Sequence, residues 1–186
     1  LPKKVNHFLE IGVWKGASLK MFIDWYKNKG KFYAMDVFGG EVIGLGELSA
    51  LGIESFVGSQ SNLSFIGGIS QKFDVIVEDG SHHSDEQVIT FKTMFKNNIA
   101  DGGLYVLEDV HCCKDEYWWR GVVKKFQDTA LHIFKKYKEG GTLECEFITF
   151  EESQELMHSI ESVDIYNEQI IFIKKRNKNV NRGKGK

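Results

Sequence analysis

Phe8-Leu9-Glu10-Ile11-Gly12-Val13-Trp14-Lys15-Gly16-Ala17-Ser18-Leu19 reads as a short apolar strand, a glycine turn and the first turn of a helix. That order sets the N–H groups of a helix N-terminus beside a tight turn, the usual way α/β proteins hold nucleotide-like ligands. The spacing narrows the ligand. A dinucleotide turn has the form G-x-G-x-x-G, and Trp14 stands at its second glycine. A pyrophosphate loses its close approach to the backbone there, and the acid at Glu10 repels it. A ribose-bearing ligand with a cationic end suits this turn better.

Outward from the turn, strand and helix patterns alternate. Residues 18–28 have helical periodicity, Lys31 to Asp36 form a second strand, and a glycine-rich loop follows from Val37 to Gly46. A short helix over Glu47 to Leu51 precedes a third strand, Ile53 to Val57. Phe73 to Glu78 is apolar enough to lie centrally in a sheet. Ser84-Asp85-Glu86-Gln87 has the form of a capping box, opening a helix that buries Val88, Phe91, Met94 and Phe95. Asp101-Gly102-Gly103 predicts a turn before a fifth strand, Leu104 to Leu107, and residues 116–137 read as one long helix. Val163 to Tyr166 and Gln169 to Lys174 are joined by only two residues, so they must pair antiparallel; a parallel crossover needs about a dozen. The expected fold is α/β: a Rossmann-like, seven-stranded, mostly parallel sheet with a C-terminal antiparallel hairpin and helices on both faces.

Composition bounds the function. With 42% apolar and 27% charged residues, the 186-residue chain reads as one globular domain over residues 1–175. No apolar run approaches the roughly 20 residues that span a bilayer. Three cysteines, two of them the adjacent Cys112 and Cys113, make a poor disulfide framework and fit a reducing, cytoplasmic setting. The adjacent pair reads as small loop residues, with a metal or redox role as the alternative. The net charge of −2 conceals an asymmetry, because seven Lys or Arg and no acid lie between Lys174 and Lys186. The acidic remainder argues against a broad nucleic-acid surface. Residues 176–186 read as a basic, disordered tail, which keeps a nucleic-acid or acidic partner in play.

In such sheets, ligands sit beyond the carboxyl ends of the strands. Those ends carry Glu10 and Gly12, then Asp36, Ser59 and Gln60, then Asp79 to His83, and finally Glu108 to His111. Asp36 is placed to accept the hydroxyls of a ribose, with Ser59 and Gln60 flanking a base. A solvated strand-end acid is the plainer reading of Asp36. Asp79, Glu108 and Asp109 should converge from neighbouring strands, and clustered carboxylates repel unless a cation joins them. Oxygen ligands suit Mg²⁺ or another hard divalent ion. Zinc stays open because His82, His83 and His111 are near, and so does simple loop capping by Asp79 or Asp109. His82 has the ordinary titration range of a general base near neutral pH, with His83 or His111 as alternatives.

These residues resemble a class I S-adenosylmethionine-dependent methyltransferase. The turn from Leu9 to Leu19 resembles the first motif of metal-dependent O-methyltransferases. D-V-I-V-E-D-G-S-H from Asp74 and G-G-L-Y-V-L-E-D up to Asp109 resemble the Mg-dependent macrolide sugar O-methyltransferases and the cephalosporin hydroxylase-like family. The resemblance implies that S-adenosylmethionine lies over Glu10, Gly12, Trp14, Gly16 and Ser18, against Asp36, Val37, Ser59, Gln60 and Asp79. It implies Mg²⁺ on Asp79, Glu108 and Asp109, with His82 or His111 as base. A small-molecule or saccharide hydroxyl is the implied acceptor, with a homo-oligomer left open. The rivals are a non-catalytic binding module of a larger or viral protein and a nucleic-acid or cap methyltransferase.

Overall fold

The computed structural model describes residues 2–27, 29–113 and 123–176. In chain order the elements are β1 His7–Ile11, α1 Ala17–Trp25, β2 Lys31–Asp36, α2 Leu45–Ala50, β3 Glu54–Val57, α3 Leu63–Gly67, β4 Phe73–Glu78 and α4 Ser84–Asn97. There follow β5 Ile99–Leu107, α5 Ala130–Lys138, α6 Phe150–Ser159, β6 Ile160–Ile165 and β7 Ile170–Lys174. One seven-stranded sheet has the order β3-β2-β1-β4-β5-β7-β6. β1 to β5 run parallel, while β7 pairs antiparallel with both β5 and β6. The expected fold class is the observed one.

The two-residue period of the strands divides the core. Phe8, Ala34, Val75 and Val106 face α1 and α2, packing with Leu19, Phe22 and Leu48. Leu9, Met35, Ile76 and Tyr105 face the other way, onto Phe91, Phe95, Phe134 and Leu156 of α4, α5 and α6. Central strands buried on both faces explain why Phe73–Glu78 reads as a nearly continuous apolar run.

Four local readings change. The long helix expected over residues 116–137 is broken: residues 114–122 lie outside the described residues, Phe126–Asp128 is a 3-10 turn, and only Ala130–Lys138 is α-helical. Within that span, Ala130, Leu131, Ile133 and Phe134 of α5 pack into the core. Ser84 is no cap, because His83 occupies that position and the Ser84 hydroxyl accepts from the Ala130 N–H at 2.5 Å. That bond ties α4 to α5 instead. Asp101-Gly102-Gly103 is not a turn before the fifth strand; β5 runs through it, with four residues set against one of β4 between the Phe73–Ile99 and Val75–Leu104 pairs. Finally, α3 and α6 are additional helices. The latter has a true capping box, with Thr149 accepting from the Glu152 N–H and Glu152 from the Thr149 N–H. T-x-x-E is a legible signal for it.

The half-buried Lys174 of β7 closes the end of α4, its Nζ donating to the carbonyls of Phe95, Lys96 and Ile99 at 2.8–3.1 Å. A cation there also opposes the helix dipole. Lys174→Met keeps the stem and leaves these carbonyls without that donor. It should lower stability by about 1–3 kcal/mol, read by urea unfolding. Among the described residues no helix is long and apolar enough to cross a membrane. Of the basic tail, only Arg176 belongs to the described residues.

Candidate active site

The carboxyl ends of β1, β2, β4 and β5 open on one cleft with two lobes. The first, of about 210 Å³, is lined by Ile11, Met35, Val37, Ser59 and Glu86 among others. The second, of about 510 Å³, is lined by Trp14, Ser18, Val42, Asp79, His82 and Asp109 among others. Gly12, Asp36 and Gly80 border both.

The glycine turn is packed as tightly as its sequence suggests. Gly12 has φ +80°, and a Cβ there would lie 2.2 Å from the Asp79 carbonyl oxygen and 2.5 Å from Gly80 Cα. Its N–H donates to Met35, while the Asp79 N–H donates to Ile11, both at 2.8 Å. The ends of β1, β2 and β4 are thus cross-tied around one residue with no side chain. Trp14 is exposed, with φ +38°, and its carbonyl accepts from the Ile43 N–H. Five non-glycine residues have positive φ among the described residues, and four of them (Trp14, Phe38, His82 and Asp109) lie in the loops after β1, β2, β4 and β5. Backbone held in such conformations concentrates at functional sites.

Asp36 accepts from the Val13 N–H on one oxygen (2.9 Å) and from the Val37 and Phe38 N–H groups on the other (2.7 and 3.3 Å). It therefore fixes the loops after β1 and β2 while bordering both lobes. Gln60 is buried, and its amide is engaged inside the wall: it donates to Glu78 (2.7 Å) and Thr90 (3.3 Å), and accepts from the Ser81 N–H (2.9 Å). A Cβ on Gly80 would fall 1.8 Å from the Gln60 carbonyl oxygen, so Gly80 and Gln60 fit as a pair. Ser59 bonds Ser61, and exposed Val37 lines the smaller lobe.

On the other side of the cleft, the His82 ring lies between two carboxylates. Its Nδ1 is 3.9 Å from Asp79 Oδ1 and its Nε2 is 3.8 Å from Asp109 Oδ2. These three side chains bring ligand atoms close enough to share a metal ion, and so do Asp109, His111 and Glu168. Glu168, on the β6–β7 turn, was missed in the sequence because nothing local marks that turn as part of the rim. Glu108 belongs to neither group; its Oε1 accepts from Gln169 at 3.0 Å. His83 precedes α4 as its cap residue.

Acid crowding shifts the titrations. Burial, with repulsion from Glu108 and Asp109, pushes Asp79 up to about 7. Burial also pushes Glu108 up, helped by Asp109. Glu10 is fully buried and lies at about 8; burial raises it most, the Ser18 side chain opposes the shift, and Asp79 and Glu108 add to it. Neither Glu10 oxygen has a good hydrogen-bond partner. Glu78 also stands at about 8, through burial against the opposing Gln60 bond. Such clustering is typical of sites that take up a cation or move a proton.

The shifts fix a sign for stability. An acid whose folded value lies above its unfolded one favours folding below the unfolded value, and that contribution is lost as pH rises through the folded value. For Glu10 and Glu78 the window runs from the ordinary 4.5 to about 8. The ligand-free protein should lose stability as pH rises from about 5 to 8. Urea unfolding across that range checks this, and a rising profile would contradict it.

No protein-family model matches the chain. Mycinamicin VI 2''-O-methyltransferase of Micromonospora griseorubida is 30% identical over 120 residues, covering 59% of this chain and 28% of that one. A Streptomyces olivaceus enzyme, 8-demethyl-8-(2-methoxy-alpha-L-rhamnosyl)-tetracenomycin-C 3'-O-methyltransferase, is 33% identical over 98 residues, covering 51% and 23%. Among solved structures, MycE methyltransferase from the mycinamycin biosynthetic pathway, in complex with Mg, SAH and mycinamycin VI, is similar at TM-score 0.70 and 23% identity. The match covers 95% of this chain. The fold is that of a class I methyltransferase. In open α/β sheets ligands bind beyond the carboxyl ends of the strands, and the cleft lies there. The chain spans 46% of the MycE chain, so this methyltransferase-fold unit corresponds to less than half of that protein.

Proposed function

We propose that this chain is the catalytic unit of an S-adenosylmethionine-dependent O-methyltransferase, assisted by Mg²⁺ or another hard divalent cation, that acts on a hydroxyl of a sugar or small metabolite. The observation that carries the reading is the placing of Asp79, His82 and Asp109 in one lobe of a cleft whose other lobe adjoins Gly12 and Asp36. The oxygen donors fit a hard cation: the carboxylates of Asp79 and Asp109 flank His82 where burial and mutual repulsion already raise Asp79. The rhamnosyl group in the name of the Streptomyces olivaceus relative favours a saccharide acceptor.

In this reading the smaller lobe would take the cofactor's base, Asp36 would hold its ribose, and Ser18, with Glu10 buried behind it, would lie toward its cationic end. Asp79 and Asp109 would hold the metal, with Glu108 and Glu168 on the same rim. When bound, the two groups supply a transferable methyl and a Lewis acid that eases hydroxyl ionisation. The chain's own part is orientation and proton transfer. His82, held between two carboxylates, takes the hydroxyl proton at a ring nitrogen, and the strained loops keep the acceptor oxygen aligned. His111, 3.8 Å from Asp109, is the second histidine of the rim.

Calorimetric titration of S-adenosylmethionine, with Mg²⁺ and with EDTA, tests the proposal. Binding should be measurable, and Mg²⁺ should permit S-adenosylhomocysteine release with glycosides as acceptors. No heat under either condition refutes the cofactor assignment; binding and turnover indifferent to EDTA refute the metal.

A further inference from the structure

The smaller lobe of the cleft has apolar walls from Ile11, Met35 and Val37, which suit the faces of a flat heterocycle. Its volume of about 210 Å³ is below the ~300–1,000 Å³ of a site for a whole drug-sized ligand, so it takes part of one. The side chains that offer acceptors to this lobe are Asp36, Ser59, Gln60, Ser81 and Glu86. Three of them are engaged within the wall, and Asp36 is assigned above to the ribose. Asp36 takes backbone N–H groups on both oxygens. Ser59 bonds the hydroxyl and N–H of Ser61. The Gln60 oxygen accepts from the Ser81 N–H, and the Ser81 hydroxyl accepts from the His83 N–H. Glu86, half-buried in the first turn of α4, borders the lobe, and its carboxylate takes no hydrogen bond from the described residues.

We infer that Glu86 is a specificity-determining residue, its carboxylate accepting the 6-amino group of the purine. This rests on the S-adenosylmethionine reading above. An ionised acceptor makes a hydrogen bond about twice as strong as a neutral one. A base lacking the amino group leaves that carboxylate desolvated and unpaired, and a site built for a hydrogen bond rejects such an analogue. The position of Glu86 also suits the helix dipole. A purely structural role of that kind would not make binding depend on the purine substituent.

The test is calorimetry of the full chain with S-adenosylhomocysteine and its 6-deamino analogue, in which hydrogen replaces the amino group. The unmodified protein should prefer S-adenosylhomocysteine by about tenfold or more. Glu86→Ala should bind the two within about threefold of each other, by loss of affinity for S-adenosylhomocysteine. Glu86→Gln keeps an acceptor oxygen and removes the charge; it should retain a reduced preference. Thermal melts confirm that both variants fold. A Glu86→Ala protein that keeps the original ratio, or an unmodified protein that does not discriminate, overturns the inference and leaves the cofactor reading intact. Failure of the unmodified protein to bind either compound overturns both.

Discussion

Asp109→Asn is expected to cut methyl transfer by roughly 10²–10³-fold, the scale of removing one preorganised partner of developing charge. Cofactor affinity should change by less than about threefold, because Asp109 lies away from the smaller lobe assigned to the cofactor's base and makes none of the hydrogen bonds that fix Asp36. The choice of asparagine matters. Asp109 has φ +52°, where asparagine is tolerated and alanine adds roughly 1–2 kcal/mol of strain. Asn therefore removes the charge without disturbing the turn. Asp109 is the residue shared by both groups of ligand-capable side chains, with Asp79 and His82 on one side and His111 and Glu168 on the other. Its loss should weaken divalent-ion binding by on the order of 10–100-fold or more, measured with Mn²⁺ by electron paramagnetic resonance. Parallel losses of cofactor binding and turnover would count against a separate metal role.

Gly12→Ala should be the most destabilising single change in the cleft. The new Cβ would meet the main chain of Asp79 and Gly80 at 2.2–2.6 Å, and main chain cannot swing aside as a flexible side chain can. The φ of +80° adds its own penalty. Strain of about 1–2 kcal/mol and overpacking of about 1–3 kcal/mol together take a large share of a typical 5–15 kcal/mol stability. The urea midpoint should fall by about 1–2 M. Gly39→Ala is the control, since a Cβ there meets nothing within 4 Å. A Gly12→Ala protein as stable as that control would show that β1 and β4 can part without cost.

Much of this architecture is written in local patterns. The bounds of β2 and β4 follow from their apolar runs, and the hairpin of β6 and β7 follows from a link too short for a crossover. The long helix failed because a helical spacing of Val123, Phe126 and Phe134 does not require an unbroken helix; Phe126–Asp128 is a 3-10 turn and α5 begins only at Ala130. Ser84 failed for a related reason. A cap sequence states what a side chain can do, and a tertiary partner, the Ala130 N–H, took the hydroxyl instead.

The site divides the same way. Asp79 and Asp109 were legible as neighbours, because each ends one of two consecutive parallel strands. Glu168 and Glu86 were not, because their places on the rim depend on how β7 and α4 pack. Gln60 lines the smaller lobe as its place after β3 suggests, while its amide also braces Glu78 and Ser81, which only the packed structure shows.

By itself, then, the sequence determined the alternation of strands and helices, the glycine turn and the acids at the strand ends. These depend on periods of two and 3.6 residues and on steric rules that act within a few residues. Only the tertiary structure decided the order β3-β2-β1-β4-β5-β7-β6, and with it which acids meet across the cleft and which are desolvated. Strand order and burial are properties of the packed whole. Coulomb repulsion and desolvation, which shift Glu10, Glu78 and Asp79, exist only once distant segments have excluded water together.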